Sequence, residues 1–184
     1  MKQILNFPAS YEVQLDAELP PREGQTIYFA DKGPQSQGKG MSGSLMRIKS
    51  RDGSSWLAVF PKGYTHGFAV DAILSTPNPD FVCVISDGAG YWVNSVTREC
   101  AAIRIMPIRQ FETMERLLLF ADFTRIAAYS PEGLLWISAQ LAGDRLSIIG
   151  MDPTAKLIEC EGWDPASGGN VRLKVDSRTG KLAP

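Results

Sequence analysis

The hairpin pattern of this sequence is clearest in Phe81-Val82-Cys83-Val84-Ile85-Ser86-Asp87-Gly88-Ala89-Gly90-Tyr91-Trp92-Val93-Asn94-Ser95. Two short runs of β-branched and aromatic residues flank a turn that contains two glycines. Glycine adopts the positive φ angles that a tight turn requires, so this stretch predicts two antiparallel strands. Similar runs, separated by glycine and proline, recur along the chain. We therefore predict an all-β fold of antiparallel hairpins and meanders that form a sandwich or an open barrel.

Part of this pattern occurs again closer to the C-terminal end. Val93-Asn94-Ser95-Val96-Thr97-Arg98 and Val175-Asp176-Ser177-Arg178-Thr179-Gly180 both combine the end of a strand with a polar turn. The two segments are about 82 residues apart, which is twice the roughly 41-residue length of a propeller blade. The spacing predicts a small propeller-like repeat as the alternative fold. Hairpins in any all-β protein look alike, so the sandwich or open barrel stays the first expectation.

The size and composition of the chain suit a single β-rich domain over residues 1–184. The chain has 184 residues, of which 44% are hydrophobic and 21% charged. A chain with this much apolar surface can bury a core, so an intrinsically disordered protein is excluded. Residues 31–44 differ from the rest because glycines alternate with small polar residues, as in Gly38-Lys39-Gly40. This composition predicts a glycine-rich flexible loop at about 31–44.

The charge balance gives no support for a nucleic-acid or membrane partner. The 19 Lys and Arg residues nearly balance the 20 Asp and Glu residues, for a formal net charge of −1. Proteins that bind nucleic acid or anionic membranes through charge are usually basic, so we expect neither partner. No run of about 18 apolar residues is present to form a transmembrane helix, and the N-terminal segment lacks the apolar core of a signal peptide. The expected location is therefore cytoplasmic.

The cysteine and histidine content argues against a metal site and a disulfide framework. Cys83, Cys100 and Cys160 are an odd number of cysteines without CxxC spacing. His66 is the single histidine, so a site with several histidine ligands cannot form. We expect the cysteines to be small buried side chains, and we expect no metal and no cofactor.

One segment leaves its secondary structure open. Phe111, Met114 and Leu118 follow the spacing of an apolar helix face, with charged residues between them. The same residues also fit a turn that leads into a strand at Leu117–Phe120. The sequence therefore predicts either a short helix over Arg109–Leu118 or a strand preceded by a turn.

Three segments in the C-terminal part of the chain share a pattern with other proteins. They read Ala128-Tyr129-Ser130-Pro131-Glu132-Gly133-Leu134-Leu135-Trp136, then Gly162-Trp163-Asp164-Pro165, then Val175-Asp176-Ser177-Arg178-Thr179-Gly180. They resemble a pattern in uncharacterised bacterial β-rich proteins. The resemblance implies a bacterial origin and a β-rich fold, and it implies no activity and no catalytic residue.

The candidate catalytic residues are His66, Asp71 and Asp87. A histidine can act as a general base when a carboxylate such as Asp71 or Asp87 orients its ring. Ser86 or Cys83 would then be the nucleophile. No GxSxG or HExxH motif surrounds these residues. A histidine flanked by glycines more often forms a hydrogen bond with the backbone. We therefore favour a non-catalytic protein over an enzyme.

The candidate binding residues are aromatic. Tyr64 lies beside His66, and Tyr91 and Trp92 follow the turn at Asp87. These side chains would line one polar and aromatic pocket if the strands bring the two turns to the same edge. Trp163 is next to Asp164-Pro165, a position that favours partial exposure.

The function that these observations favour is binding without catalysis. Strand edges and exposed aromatic side chains would hold a protein partner or a second copy of the chain. A small β-rich protein also suits an antitoxin-like or immunity-like role. The alternative is a small hydrolase or carbohydrate-binding protein with its site around His66.

Overall fold

The computed structural model describes residues 1–15, 26–29, 43–63 and 67–183. The all-β prediction is confirmed, because 57% of the structure is strand and the described residues contain no helix. The chain divides into two compact units, Met1–Met106 (unit 1) and Pro107–Pro184 (unit 2). The single domain expected for residues 1–184 stays a prediction.

Unit 1 is built from two sheets. Its strands are, within the described residues, β1 (Lys2–Ile4), β2 (Glu12–Leu15), β3 (Thr26–Tyr28), β4 (Gly43–Lys49), β5 (Ser55–Pro61), β6 (Ala72–Ser75), β7 (Phe81–Ser86), β8 (Ala89–Asn94) and β9 (Cys100–Ala102). One sheet has the strand order β2-β4-β5-β3 and the other has the order β1-β6-β7-β8-β9. The pairs β3–β5 and β1–β6 are parallel, and the other pairs are antiparallel.

The two sheets of unit 1 share one hydrophobic core. Side chains of a strand alternate between its two faces, so Ile48 is fully buried while Arg47 before it is exposed. Phe60 of β5 stacks on Phe29 and packs against Tyr91 of β8, with ring centroids 5.2 and 5.3 Å apart. The rings therefore connect the two sheets of a sandwich-like unit.

Unit 2 also consists of two sheets, and all of its strand pairs are antiparallel. Its strands are, within the described residues, β10 (Gln110–Met114), β11 (Leu117–Ala121), β12 (Ile126–Ser130), β13 (Gly133–Ile137), β14 (Asp144–Asp152), β15 (Leu157–Asp164) and β16 (Gly169–Asp176). The strand orders are β10-β11-β12-β13 and β14-β15-β16. Buried side chains from both sheets, such as Leu119, Ile126, Leu146 and Ile158, form one core.

Residues 109–118 form a hairpin and no helix. β10 and β11 are joined by the turn Glu115-Arg116, in which Glu115 has a φ of 54°. The register pairs Phe111 with Phe120. The helix alternative was therefore wrong, because a two-residue turn places Met114 and Leu118 at helix-like spacing although they belong to different strands.

Unit 2 repeats the strand order of unit 1. The series β2, β4, β5, β6, β7, β8 corresponds to β11, β12, β13, β14, β15, β16. The turn between β4 and β5 lies within Ser50-Arg51-Asp52-Gly53-Ser54-Ser55-Trp56, and the turn between β12 and β13 lies within Ser130-Pro131-Glu132-Gly133-Leu134-Leu135-Trp136. The register agrees as well, since Trp56 pairs with Ile48 and Trp136 pairs with Ala128. The two units therefore share a serine, an acidic residue, a glycine and a tryptophan at matching positions.

A tryptophan contact occurs in both units. The Trp56 indole N–H donates to the Ser95 carbonyl at 3.0 Å, and the Trp136 indole N–H donates to the Ser177 carbonyl at 2.9 Å. Ser95 and Ser177 occupy the same position in the two turns that the sequence comparison matched. We call this contact the tryptophan latch. The two matched segments therefore occupy equivalent places in the two units. A propeller-like repeat stays a prediction.

The pairs β7–β8 and β15–β16 have the same register. Phe81 pairs with Asn94 where β7 begins, and Leu157 pairs with Asp176 where β15 begins. The chain that follows returns at the same point in both units, since Val93 pairs with Cys100 of β9 and Val175 forms an isolated bridge with Leu182. Gly90 in β8 is therefore the counterpart of Arg172 in β16.

The largest difference between the units lies after β2. Residues 16–42, which include β3, separate β2 from β4, whereas Asp122–Arg125 alone separates β11 from β12. Of the predicted loop at 31–44, residues 31–42 lie outside the described residues. Gly43 and Ser44 already belong to β4. Unit 1 therefore carries a long additional segment at the position of a tight turn in unit 2.

Candidate functional site

The structure brings two of the three predicted catalytic residues together. The Asp87 backbone N–H donates to Oδ1 of Asp71 at 3.2 Å. The other carboxylate oxygen of Asp71 lies 3.6 Å from the amino group of Met1. His66 and Tyr64 lie outside the described residues. Asp71 therefore links the β7–β8 turn to the beginning of β1, which is a structural use of its carboxylate.

The two nucleophiles considered with His66 are buried. Ser86 is fully buried, and its hydroxyl shares a hydrogen bond of 2.9 Å with Ser44 Oγ. Cys83 is fully buried as well, and this burial raises the pKa of its thiol well above the usual value. A thiolate is the reactive form of cysteine, so Cys83 is held in its unreactive form.

The same reasoning predicts the order in which the cysteines react. Burial raises the pKa of Cys160 to about 12, and Cys160 is fully buried like Cys83, whereas Cys100 is half-buried. With iodoacetamide at mildly alkaline pH, we expect the native protein to be alkylated at Cys100 first. Cys83 and Cys160 should react only after unfolding, which peptide mass spectrometry measures. Rapid alkylation of Cys83 in the native protein would contradict its placement in the core.

The fold buries two of the three described candidate aromatic residues. Tyr91 is fully buried, its hydroxyl donates to the Pro61 carbonyl at 2.8 Å, and burial raises its pKa. Trp92 is buried and packs against Phe81 with ring centroids 6.1 Å apart. Trp163 in unit 2 is half-buried. Tyr91 and Trp92 therefore contribute to the core of unit 1, and Trp163 is the ring with an accessible part.

The described residues contain no group of three or more His, Cys, Asp or Glu side chains placed to hold a metal ion. Within the same ranges, no helix is long and apolar enough to cross a membrane.

A different feature, the outer edge of β16, carries exposed backbone groups. β16 is the last strand of its sheet and pairs residue by residue with β15. On its other side, the Asp176 N–H donates to the Lys181 carbonyl, and the Ala183 N–H donates to the Lys174 carbonyl, both at 2.9 Å. Residues 181–183 therefore cover the C-terminal end of this edge.

The remaining part of the edge is open. Backbone groups of an antiparallel strand alternate in direction, so the N–H and C=O groups of Asn170 and Arg172 point to the same side as those of Lys174. In the described part of the chain, no strand pairs with Asn170 and Arg172 on that side. We call these groups of Asn170 and Arg172 the open edge.

Unit 1 shows what occupies the corresponding edge of β8. There β9 continues past the Val93–Cys100 pair, with Tyr91 opposite Ala102. The Ile103 N–H then donates to the Gly90 carbonyl at 2.8 Å. Gly90 corresponds to Arg172. The edge that is open at Arg172 in unit 2 is therefore the edge that β9 and Ile103 cover in unit 1.

A groove lies beside the open edge. Its volume is about 610 Å³, and its lining includes Arg172, Leu173 and Leu182. Leu182 is 62% exposed, and Ile149 on the same lining is 48% exposed. Apolar side chains exposed to this extent next to unpaired backbone groups are typical of an interaction surface.

Ion pairs hold the outer face of this sheet. Lys174 lies 3.5 Å from Glu159, and Arg172 lies 3.2 Å from Glu161, so each pair joins β16 to β15. Because these four side chains pair between β15 and β16, the groups that β16 offers at the open edge are its backbone N–H and C=O groups. None of these residues was a candidate in the sequence analysis. The repeated Val-polar-Ser turn was the signal that would have located them, because it marks the end of both β8 and β16.

No protein-family model and no curated protein matches this chain.

Proposed function

We propose that this protein binds a partner protein by accepting an extended segment of it as an additional strand beside β16. The observation that supports the proposal is the open edge of Asn170 and Arg172, next to a groove of about 610 Å³. The equivalent edge of β8 is paired with β9. Strand addition uses main-chain hydrogen bonds for affinity and side-chain pockets for specificity.

The register of the added strand follows from unit 1. A strand that continues the direction of residues 181–183 runs antiparallel to β16, as β9 does to β8. Its backbone would pair first with Arg172 and then with Asn170. Side chains of the added strand would lie alternately on the outer face, near Arg172 and Lys174, and on the inner face, near Leu173.

The chemistry of the groove favours a segment that is partly apolar. Leu182 and Ile149 offer exposed apolar surface, and Arg172 and Lys174 are already paired with Glu161 and Glu159. The occupant is therefore an extended segment of a partner protein with apolar side chains on one face. A second copy of the chain is the competing occupant, and the experiment below separates the two.

The Arg172→Pro substitution tests the proposal directly. Proline has no N–H, and the Arg172 N–H points away from β15, so the ladder between β15 and β16 stays intact. We expect phage-displayed random peptides selected on the unaltered protein to bind the Arg172→Pro protein at least about tenfold more weakly. Arg172→Ala keeps the N–H and removes the same side chain, so it should retain binding.

The controls make each outcome decisive. Both variants should keep the circular dichroism spectrum and the unfolding midpoint of the unaltered protein. Peptides that bind Arg172→Pro undiminished, or a selection that enriches no peptide, would overturn the proposal. A dimer in light scattering that Arg172→Pro abolishes and Arg172→Ala retains would also overturn it, because the occupant would then be a second copy.

A further inference from the structure

Unit 2 carries a second groove at the end of its sheets, away from the open edge. Its volume is about 520 Å³. Leu117 and Leu135 supply apolar lining, Arg116, Lys156 and Arg178 supply three positive charges, and Glu115 supplies one negative charge. Leu135 is 48% exposed although it is adjacent to the buried Trp136. We call this the cationic groove.

Two of the three cations already have partners. Lys156 Nζ lies 2.8 Å from Glu115, and Arg178 forms an ion pair of 2.6 Å with Asp176. Arg116 forms no ion pair with a carboxylate among the described residues. The hydrogen bond from Ser130 is the main cause that lowers the pKa of Glu132, and the charge of Arg116 adds a smaller contribution. The guanidinium of Arg116 is therefore the group in the groove that is best placed to bind an incoming carboxylate.

The internal repeat supplies a comparison for these positions. The register of β2 on β4 and of β11 on β12 makes Ser10 the counterpart of Arg116. The tryptophan motif makes Ser55 the counterpart of Leu135, and the turn after β8 makes Val96 the counterpart of Arg178.

Unit 1 has no matching charge at these places. The Ser10 hydroxyl donates to the Asp80 side chain at 2.6 Å. Asp80 is the counterpart of Lys156, because its carbonyl accepts the Ser95 N–H and the Lys156 carbonyl accepts the Ser177 N–H. A lysine in unit 2 thus replaces an aspartate in unit 1. The combination of cations and exposed leucine is therefore specific to unit 2 and is not required by the shared fold.

We infer that the cationic groove binds an acidic segment of a partner protein, in which a carboxylate side chain is followed by an apolar one. The carboxylate would pair with Arg116, since guanidinium and carboxylate form charge-assisted hydrogen bonds. The apolar side chain would cover Leu135 and Leu117. This inference is independent of the proposed strand addition, because none of its residues belongs to the open edge.

An acidic protein segment fits better than a nucleic acid. Nucleic-acid binding needs several cations that are available to phosphates, whereas Lys156 and Arg178 are engaged with carboxylates. The exposed Leu135 also suits an aliphatic side chain better than a sugar–phosphate backbone. An oligonucleotide is therefore an outcome to be tested and is not the proposed ligand.

The test uses a fluorescein-labelled peptide in which glutamates flank two leucines, measured by fluorescence anisotropy. We expect Arg116→Ser to raise the dissociation constant about tenfold and Leu135→Ser to raise it severalfold. Both substitutions introduce the residue that unit 1 has at the same position. Lys62→Ser removes an exposed lysine of unit 1 and should leave the dissociation constant unchanged.

Salt, an uncharged peptide and an oligonucleotide test the ligand class of the cationic groove. Added salt should weaken binding, and a peptide with glutamines in place of the glutamates should bind at least about tenfold more weakly. Equal losses with Lys62→Ser, equal binding of the glutamine peptide, or no binding of the glutamate peptide would overturn the inference. Displacement of the peptide by oligothymidylate at equal concentration would overturn it in favour of a nucleic-acid ligand.

Discussion

Replacing Trp136 by alanine is expected to lower the free energy of unfolding by about 3–5 kcal/mol. Trp136 is buried in the core of unit 2, and its indole N–H donates to the Ser177 carbonyl. The substitution removes the packed ring and leaves a buried carbonyl without its donor. Because Trp56 makes the equivalent contact with Ser95 in unit 1, Trp56→Ala should cost a similar amount.

Urea denaturation followed by circular dichroism measures both effects. Leu135→Ala changes the exposed neighbour of Trp136, and Ser55→Ala changes the exposed neighbour of Trp56. These matched controls should alter stability by less than about 0.5 kcal/mol. Trp136→Phe keeps most of the ring and loses the hydrogen bond, so it should cost about 1–3 kcal/mol. A tryptophan-to-alanine change no larger than its control would contradict the tryptophan latch.

Replacing Gly180 by alanine has the second largest expected effect. Gly180 has a φ of 69°, and a Cβ added to it would lie 2.5 Å from Cε3 of the Trp136 ring. The left-handed conformation costs about 1–2 kcal/mol for alanine, and the overlap with a packed ring costs about 1–3 kcal/mol more.

Gly168 is the matched control for Gly180. It has a φ of 66°, and a Cβ added to it would meet nothing within 4 Å. Gly168→Ala therefore pays for the backbone conformation alone, and the difference between the two variants isolates the contact with Trp136. The midpoint of urea unfolding measures both. Equal losses of stability for Gly180→Ala and Gly168→Ala would show that the ring of Trp136 does not restrict this position.

Unit 1 explains why the residue at this place differs between the repeats. Arg98 corresponds to Gly180 and also has a positive φ, of 66°. Its guanidinium lies 5.9 Å from the centre of the Trp56 ring, a distance suited to a cation–π contact. The same turn therefore places a long side chain over the ring in unit 1 and a glycine against the ring in unit 2.

Local sequence patterns were sufficient to predict the fold class. The strands predicted at Phe81–Ser86 and at Leu117–Phe120 match β7 and β11 closely. Their signal is strong because β-branched and aromatic residues fill a short run that ends at a glycine turn. At Arg109–Leu118 the pattern was ambiguous, because residues from two paired strands produced the spacing of a helix.

The repeat was predicted from its turns and not from its strands. The Val-polar-Ser turns kept their pattern because the serine carbonyl accepts the tryptophan N–H. The second shared motif, which ends at Trp56 and Trp136, was missed since its middle residues differ. Strand residues such as Cys83 and Glu159 occupy equivalent places, yet one is buried and the other exposed. The two units therefore differ in which strand residues are buried, and sequence patterns do not specify burial for both faces of a strand.

The candidate site depended on pairing between distant strands. Asp71 and Asp87 were named as carboxylates that could orient His66, and in the structure the Asp87 N–H donates to the Asp71 carboxylate. The open edge could not be predicted, because it is defined by what β16 pairs with and not by its own residues. Arg172 and Asn170 have no unusual sequence context, and their importance comes from the comparison with Gly90 and its strand partner.

Amide hydrogen exchange at β16, measured by NMR, tests the proposed binding edge most directly. In the protein alone, the N–H groups of Asn170 and Arg172 should exchange fast, while those of Val171 and Leu173, which face β15, exchange slowly. A peptide selected on the protein should slow the exchange of Arg172 and Asn170 at least about tenfold and leave Val171 and Leu173 unchanged. Protection of Arg172 in the protein alone, or rapid exchange of Arg172 in the peptide complex, would contradict binding at this edge.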